Sequence, residues 1–147
     1  MKQGIVRPIA ICVFRHNGRI LVAEGYNAIK HQRFYRPLGG TIEFGEPSAD
    51  TIVRELREEL SATVGNLRYL GTLENIFSTG EDMGHEIVLV YDGEFLNPAL
   101  YELEAVEGVE EDGTLFRVVW LRLTDCLAPA TPSLYPAGLF ELLETAA

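Results

Sequence analysis

The sequence predicts an α+β or α/β fold built on a mixed sheet, and three observations carry that prediction. Segments with strand character outnumber helical ones, one amphipathic helical stretch lies between two groups of strands, and a second short one closes the chain. At 147 residues the chain has the length of one ordinary domain, expected to span residues 1–147, and is long enough to bury a sizeable core. No internal repeat, linker or low-complexity tract divides it.

In chain order, residues 9–14 and 19–23 form a hairpin closed by His16-Asn17-Gly18, a pair with the turn chemistry of a tight reversal. Residues 25–32 read as polar and irregular. They lead into Arg33-Phe34-Tyr35-Arg36-Pro37-Leu38, an aromatic and basic segment expected to border the site. Residues 41–44 read as a short strand, Gly45-Glu46-Pro47 as a turn, and residues 47–60 as a helix with proline where its missing N–H costs little. Residues 63–77 place Val64, Leu67, Tyr69, Leu70, Leu73 and Ile76 at spacings that suit one or two strands, and residues 78–84 read as a loop. A strong strand follows at 86–95, and a second buried one at 115–123 contains Val118-Val119-Trp120. Between them, residues 97–113 carry Glu102, Glu104, Glu107, Glu110, Glu111 and Asp112 and read as a solvated acidic loop. The proline-punctuated stretch 124–136 precedes a closing helix at 137–143.

The segment at 39–62, GGTIEFGEPSADTIVRELREELSA, is the most informative. On a helix over 47–60, Glu55, Glu58 and Glu59 lie at i, i+3 and i+4 and share a face. Ala49, Val53, Leu56 and Leu60 form an apolar stripe about a third of a turn away. One stripe packs, and the other binds something that offsets the repulsion of three carboxylates. Hard divalent cations, which also bridge phosphate oxygens, take such oxygen ligands.

The segment resembles the Nudix box, Gly-x5-Glu-x7-Arg-Glu-(apolar)-x-Glu-Glu-x-Gly-(apolar), from Gly40 to Ala62. Ser61 stands where the family has a glycine, so it must supply the backbone geometry that ends the helix. The resemblance implies the Nudix fold, an α/β/α sandwich with a mixed sheet, and a hydrolase that cleaves a pyrophosphate bond in a nucleoside diphosphate linked to a group X. It implies Mg²⁺ or Mn²⁺ as cofactor. Glu58 and Glu59 match the metal-binding pair, Glu55 matches the glutamate that binds metal or helps activate water, and Arg54 matches the arginine that orients these acids. Glu46 matches a residue supporting loop and helix beside Gly40, and the Gly39 carbonyl matches a position that often ligates the cation. The alternative in the same family is a catalytically silent module that binds a nucleotide or nucleotide sugar as a sensor; such modules usually lose a box carboxylate, and this chain keeps them all.

Composition agrees with a compact enzyme. Twelve basic residues against twenty-two acidic ones give a formal charge of −10, which repels duplex nucleic acid and anionic membranes but tolerates a small phosphate ester held by cations. The partners expected are therefore a small nucleotide, neither duplex nucleic acid nor a membrane, with a homodimer allowed. Cys12 and Cys126 lack metal-ligand spacing and read as reduced thiols; with no signal peptide or membrane span, the expected location is cytoplasmic.

Outside the box, Glu86, Glu107, Glu110 and Glu111 are candidates for a general base or extra ligand. His85 is either a base or an exposed histidine. Phe34, Tyr35 and Arg36 are candidates for stacking a base and binding a phosphate, or for core or rim packing. Trp120 reads as core, and Leu134-Tyr135-Pro136 as a pocket wall or a staple for the last helix. The resemblance offers mostly negative substrate clues, since no proline or tyrosine typical of ADP-ribose or diadenosine polyphosphate members stands near Phe77-Ser78-Thr79-Gly80. Nucleoside triphosphates, modified or ordinary, remain the expected class.

Overall fold

A computed structural model describes residues 4–27, 30–79, 81–128 and 131–146. Its strands are β1 (Val6–His16), β2 (Arg19–Asn27), β3 (Gln32–Arg36), β4 (Leu38–Thr41), β5 (Val64–Thr79), β6 (Asp82–Phe95), β7 (Ala105–Val109), β8 (Leu115–Arg122) and β9 (Ser133–Leu134), with helices α1 (Ser48–Leu60) and α2 (Leu139–Thr145). The sheet runs β5-β6-β1-β2-β3-β9, with β4 beside β1, β8 beside β2 and β7 beside β8. It is mixed: β1 pairs parallel with β6 and β3 parallel with β9, and the other ladders are antiparallel.

Strand β1 organises the molecule. Its first half pairs with β4, from Ile9 opposite Thr41 to Cys12 opposite Leu38. At Arg15 and His16 it pairs instead with β2, so two half-sheets diverge from one strand. Its central residues are apolar on both faces, as expected of a strand covered on both sides. Ala10, Cys12 and Phe14 face a cluster containing Ile52 and Leu56 of α1, while Ile9, Ile11 and Val13 face one containing Leu139 and Leu143 of α2. The period-two alternation therefore puts one helix on each face, an α/β/α sandwich. Burying a leucine such as Leu56 contributes about 1.5–3 kcal/mol. Cys12 lies in this core as a free thiol, and burial pushes its pKa well above that of an ordinary cysteine, with Asp92 adding to the effect. No helix among the described residues is long and apolar enough to cross a membrane.

Helix α1 begins one residue later than the sequence suggests, because Pro47 is the extended N-cap (φ −61°, ψ 143°). Ser61 ends the helix in the left-handed region (φ 53°), its N–H bonding to the Arg57 carbonyl at 2.9 Å. The geometry that glycine would supply is thus adopted by serine, at a cost of roughly 1 kcal/mol. The buried face of the helix is Thr51, Ile52 and Leu56. Val53 and Leu60 are only partly buried beside it, so the apolar stripe is centred one position away from the one read from the sequence.

Several other expectations are corrected. The polar segment 25–32 is not irregular throughout: β2 continues to Asn27 and β3 begins at Gln32. The short strand expected at 41–44 lies earlier, as β4, because the pairing with β1 begins at Leu38. Nor is 78–84 a loop, since Phe77, Ser78 and Thr79 pair with Gly84, Met83 and Asp82 as β5 and β6 approach their turn. The stretch 97–113 holds a 3-10 helix (Pro98–Glu102) and strand β7. Its glutamates hid that strand because alternate residues face solvent, while Gly108 is buried under the Phe116 ring. Strand β8 stops at Arg122 and is less buried than expected, with Leu115 exposed and Val118 fully enclosed. Part of the proline-punctuated stretch, residues 129–130, lies outside the described residues, and the closing helix starts at Leu139.

Candidate active site

The acidic face of α1, the β4 glycines and the turn between β7 and β8 enclose a cavity of about 700 Å³. Gly39 and Gly40 bring the β4 backbone against β1 on one side and the helix on the other. A Cβ on Gly39 would overlap the backbone of Ala10, and a Cβ on Gly40 would overlap the Glu55 carboxyl. The glycines therefore create the space in which Glu55 lies, close to the main chain.

Arg54 is the hub of the cavity. Its Nε donates to Glu46 Oε2 at 2.8 Å and its Nη2 to Glu46 Oε1 at 3.0 Å. Nη2 also donates to the Thr41 carbonyl at 3.1 Å, and Nη1 reaches Glu55 Oε1 at 2.9 Å and Glu58 Oε2 at 3.4 Å. The Arg54 fork, with a 2.6 Å bond from the Thr51 hydroxyl, holds the Glu46 carboxyl down to a pKa of about 2. Glu46 also accepts from the Glu43 N–H at 3.2 Å. It thereby fastens the turn before α1 to the helix, and charge-assisted bidentate pairing fixes the guanidinium plane.

The other box acids are pushed the opposite way. Burial raises the Glu55 carboxyl, against the pull of Arg54. Burial also lifts Glu59 to about 8, with Glu55 and Glu110 adding like charge. Its Oε1 is buried without a hydrogen-bond partner among the described residues. Glu58 is 57% exposed at its side chain and touches the cluster through Arg54 Nη1. Among the described residues, no three His, Cys, Asp or Glu side chains stand close enough together to hold a metal ion, and the Arg54 guanidinium lies against both Glu55 and Glu58. The donor set nevertheless fits a hard divalent cation: several carboxylates, a buried oxygen without a partner, and two acids that burial keeps from ionising readily.

A second cavity, of about 420 Å³, adjoins the first and shares Arg36, Pro37 and Glu86 with it. Its walls include Phe34, Phe77 and Tyr135. The Phe34 ring lies over Gly25, where a Cβ would overlap it, and meets Tyr135 edge-on with centroids 5.6 Å apart. A slot with aromatic walls and a few polar groups suits a flat ring system. Asn75 contributes one such group, and Lys30, Arg33 and Arg36 supply positive charge.

The residues singled out from the sequence thus divide. Gly39, Gly40, Arg54, Glu55, Glu58 and Glu59 line the acidic cavity, with Glu46 behind Arg54; Phe34 lines the aromatic cavity and Arg36 lines both. Tyr35 does not join them. Alternation along β3 turns it into the core cluster that contains α2. Glu110 and Glu111 reach the acidic cavity, whereas Glu107 is exposed on β7 opposite Arg117. His85 pairs with Glu74 at 3.1 Å, partly exposed and lining neither cavity. Tyr135 and Pro136 wall the aromatic cavity while Leu134 packs in the core, so both readings of that tripeptide hold. Trp120 is partly buried against the core and stacks on Tyr101. Arg7, Asn75 and Phe77 were missed. Their only linear signal is strand alternation, with Arg7 in step with Ile9 and Ile11.

A carboxylate-lined cavity bordered by a glycine strand and an Arg-anchored helix in an α/β/α sandwich defines the class of fold and site. A family model for the NUDIX domain matches residues 5–138. The chain belongs to the NUDIX family. Members of the family generally use divalent metals and act on small nucleotide substrates.

It is 31% identical over 106 residues to the NAD-capped RNA hydrolase NudC of Vibrio parahaemolyticus, covering 71% of this chain and 39% of that protein. A 90-residue match at 31% identity to NudC of Mycobacterium tuberculosis covers 61% of this chain and 28% of that one. The chain thus spans well under half of these relatives' length. Among solved structures, a MutT NUDIX hydrolase from Burkholderia pseudomallei superposes with a TM-score of 0.66 at 20% identity, covering 97% of this chain and 99% of the other.

Proposed function

We propose that the protein is a Mg²⁺- or Mn²⁺-dependent pyrophosphohydrolase acting on a nucleoside diphosphate linked to X, with nucleoside triphosphates, ordinary or modified, as the principal class. The observation that carries this reading is the adjacency of the two cavities: an aromatic-walled cavity suited to a base shares Arg36, Pro37 and Glu86 with a chamber of carboxylates. In this reading, Phe34, Phe77 and Tyr135 hold the base by stacking and edge contacts. Arg36 meets phosphate oxygens with a planar fork. Glu55, Glu58 and Glu59 hold the cation together with the Gly39 carbonyl, and Glu110 or Glu111 supplies a further carboxylate. Bound there, a divalent cation neutralises phosphate oxygens and lowers the pKa of water. Arg54, fixed by Glu46, keeps Glu55 and Glu58 oriented. The formal charge of −10 favours a small substrate over duplex nucleic acid or an anionic membrane, and the reading places the protein in the cytoplasm.

A second reading, nucleotide binding without turnover, is favoured by one observation: no three acidic side chains converge on a point among the described residues. One experiment separates the two. The purified protein is incubated with Mg²⁺ and a panel of nucleoside triphosphates, oxidised nucleotides, nucleotide sugars and dinucleotides including NAD, and products are identified by mass spectrometry. Metal-dependent cleavage of a phosphoanhydride supports the hydrolase. Uncleaved nucleotides that still raise the melting temperature would establish the binding module.

A further inference from the structure

The wall shared by the two cavities contains Arg36, Pro37 and Glu86, and Glu86 alone of these offers a side-chain acceptor. It is 4% exposed. A carboxylate this deeply buried is expensive unless hydrogen-bonded or paired. Its partners are few and long: Asn75 Nδ2 lies 3.3 Å from Oε1, and Arg7 Nη1 lies 3.9 Å from Oε2. Both are themselves anchored. Asn75 sits directly across the β5–β6 ladder from Glu86 and accepts from the Ala137 N–H at 3.3 Å, while Arg7 Nη2 donates to the Thr41 hydroxyl at 2.6 Å. A carboxylate has about four lone-pair positions, so clamping from Asn75 and Arg7 fixes the group and leaves acceptor capacity toward the cavities.

Resting on the hydrolase reading above, the position of Glu86 carries a further consequence. If the aromatic cavity takes the base and the acidic cavity the phosphates, the part of a nucleotide that passes the shared wall is the sugar. A vicinal diol presents two adjacent O–H donors, for which a carboxylate with two free acceptor positions is the matching group, as in dinucleotide sites where an acidic residue holds ribose hydroxyls. We propose that Glu86 is a specificity-determining residue that accepts hydrogen bonds from the 2′- and 3′-hydroxyls, making the site selective for ribonucleotides over 2′-deoxyribonucleotides. Asn75 and Arg7 are the positioning residues that hold it.

Two readouts test this. Hydrolysis with Mg²⁺ gives kcat/KM for ribo- and 2′-deoxyribonucleoside triphosphates of each base, and titration calorimetry without metal gives Kd for the corresponding monophosphates. The wild-type protein should prefer the ribo form by about tenfold or more whichever base is attached, because the deoxy analogue removes one of the two hydroxyl donors and leaves an acceptor position of a buried carboxyl group unfilled. Glu86→Gln should bring that ratio toward one while leaving the order of the bases unchanged. Indifference of the wild type to the 2′-hydroxyl overturns the proposal, and this arm decides even if the variant fails to fold. A uniform fall in kcat for both sugars in Glu86→Gln also overturns it, assigning the residue to the reaction itself. So does a change in base preference with the sugar ratio intact. Should no triphosphate be cleaved, the hydrolase reading fails while the monophosphate Kd ratio still decides the role of Glu86; failure of both sugar forms to bind, or of the ribo form alone, counts against it.

Discussion

The Arg54 guanidinium grips both carboxylate oxygens of Glu46, at 2.8 and 3.0 Å, while its remaining nitrogen lies 2.9 Å from Glu55. One side chain thus links the turn that precedes the helix to the acids that line the cavity. Arg54→Ala should weaken Mg²⁺ affinity by about tenfold or more, the scale for groups that orient metal ligands, while shifting the melting temperature only modestly. Unchanged affinity in titration calorimetry would make the arginine purely structural. Arg54→Lys should not rescue, because an ammonium cannot form the fork.

Glu58 is the exposed member of the acid stripe, so replacing it tests chemistry with little effect on packing. Glu58→Gln should lower kcat by about a hundredfold or more if it helps hold the cation that stabilises phosphate charge, with an unchanged circular dichroism spectrum. Retained turnover would remove Glu58 from the site.

Glu59 gives a pH signature. Its folded pKa is raised to about 8 from an ordinary 4.5, chiefly by burial. Between those values the native state binds the extra proton, so stability falls as pH rises through this window. The metal-free protein should therefore melt lower at pH 8 than at pH 6, and Glu59→Gln should flatten that slope. Added Mg²⁺ should stabilise more at pH 8 than at pH 6, since the cation replaces the proton. Scanning calorimetry at several pH values reads both effects. Glu46 has the opposite sign: held to about 2, it contributes stability above pH 4.5 that is lost on acidification.

Gly40 has no room for a side chain without moving Glu55. The obstructing atoms are the end of a flexible carboxylate rather than backbone, so Gly40→Ala should cost activity out of proportion to stability. A tenfold or larger drop in kcat/KM with a near-normal melting temperature is expected. Gly39→Ala, which meets the Ala10 backbone, should instead destabilise the fold.

Ser61 occupies a left-handed conformation (φ 53°) at the exposed end of α1. Ser61→Gly should raise stability by about 1 kcal/mol, measured by denaturant unfolding, with kcat unchanged. A loss of stability would show that the serine makes a compensating interaction.

Much of this fold was legible in the sequence because its informative features are local. The acid stripe, the glycine pair and the left-handed helix end each lie within a few residues of their partners. The strands that were misread share a different character. Strand β7 is short, carries a central Glu107 and lies in an acidic stretch, and the ends of β5 and β6 are polar; they exist because neighbouring strands offer them hydrogen bonds, and no propensity in their own residues announces that. Of the alternatives the sequence leaves for Tyr35, the sheet selects the core, since one step along a strand exchanges cavity for core.

By itself, the sequence determined the family, the box helix, its carboxylates and the arginine beside them, since 3.6-residue periodicity converts spacing directly into a common face. The tertiary structure alone decided which distant residues join them. Glu86, Asn75 and Arg7 meet because β5 and β6 pair antiparallel while β6 and β1 pair parallel, and Glu110 rather than Glu107 reaches Glu59 because the β7–β8 turn folds over α1. Register and burial are properties of the assembled sheet, and they alone turn an isolated glutamate into either a solvated surface charge or a buried acceptor.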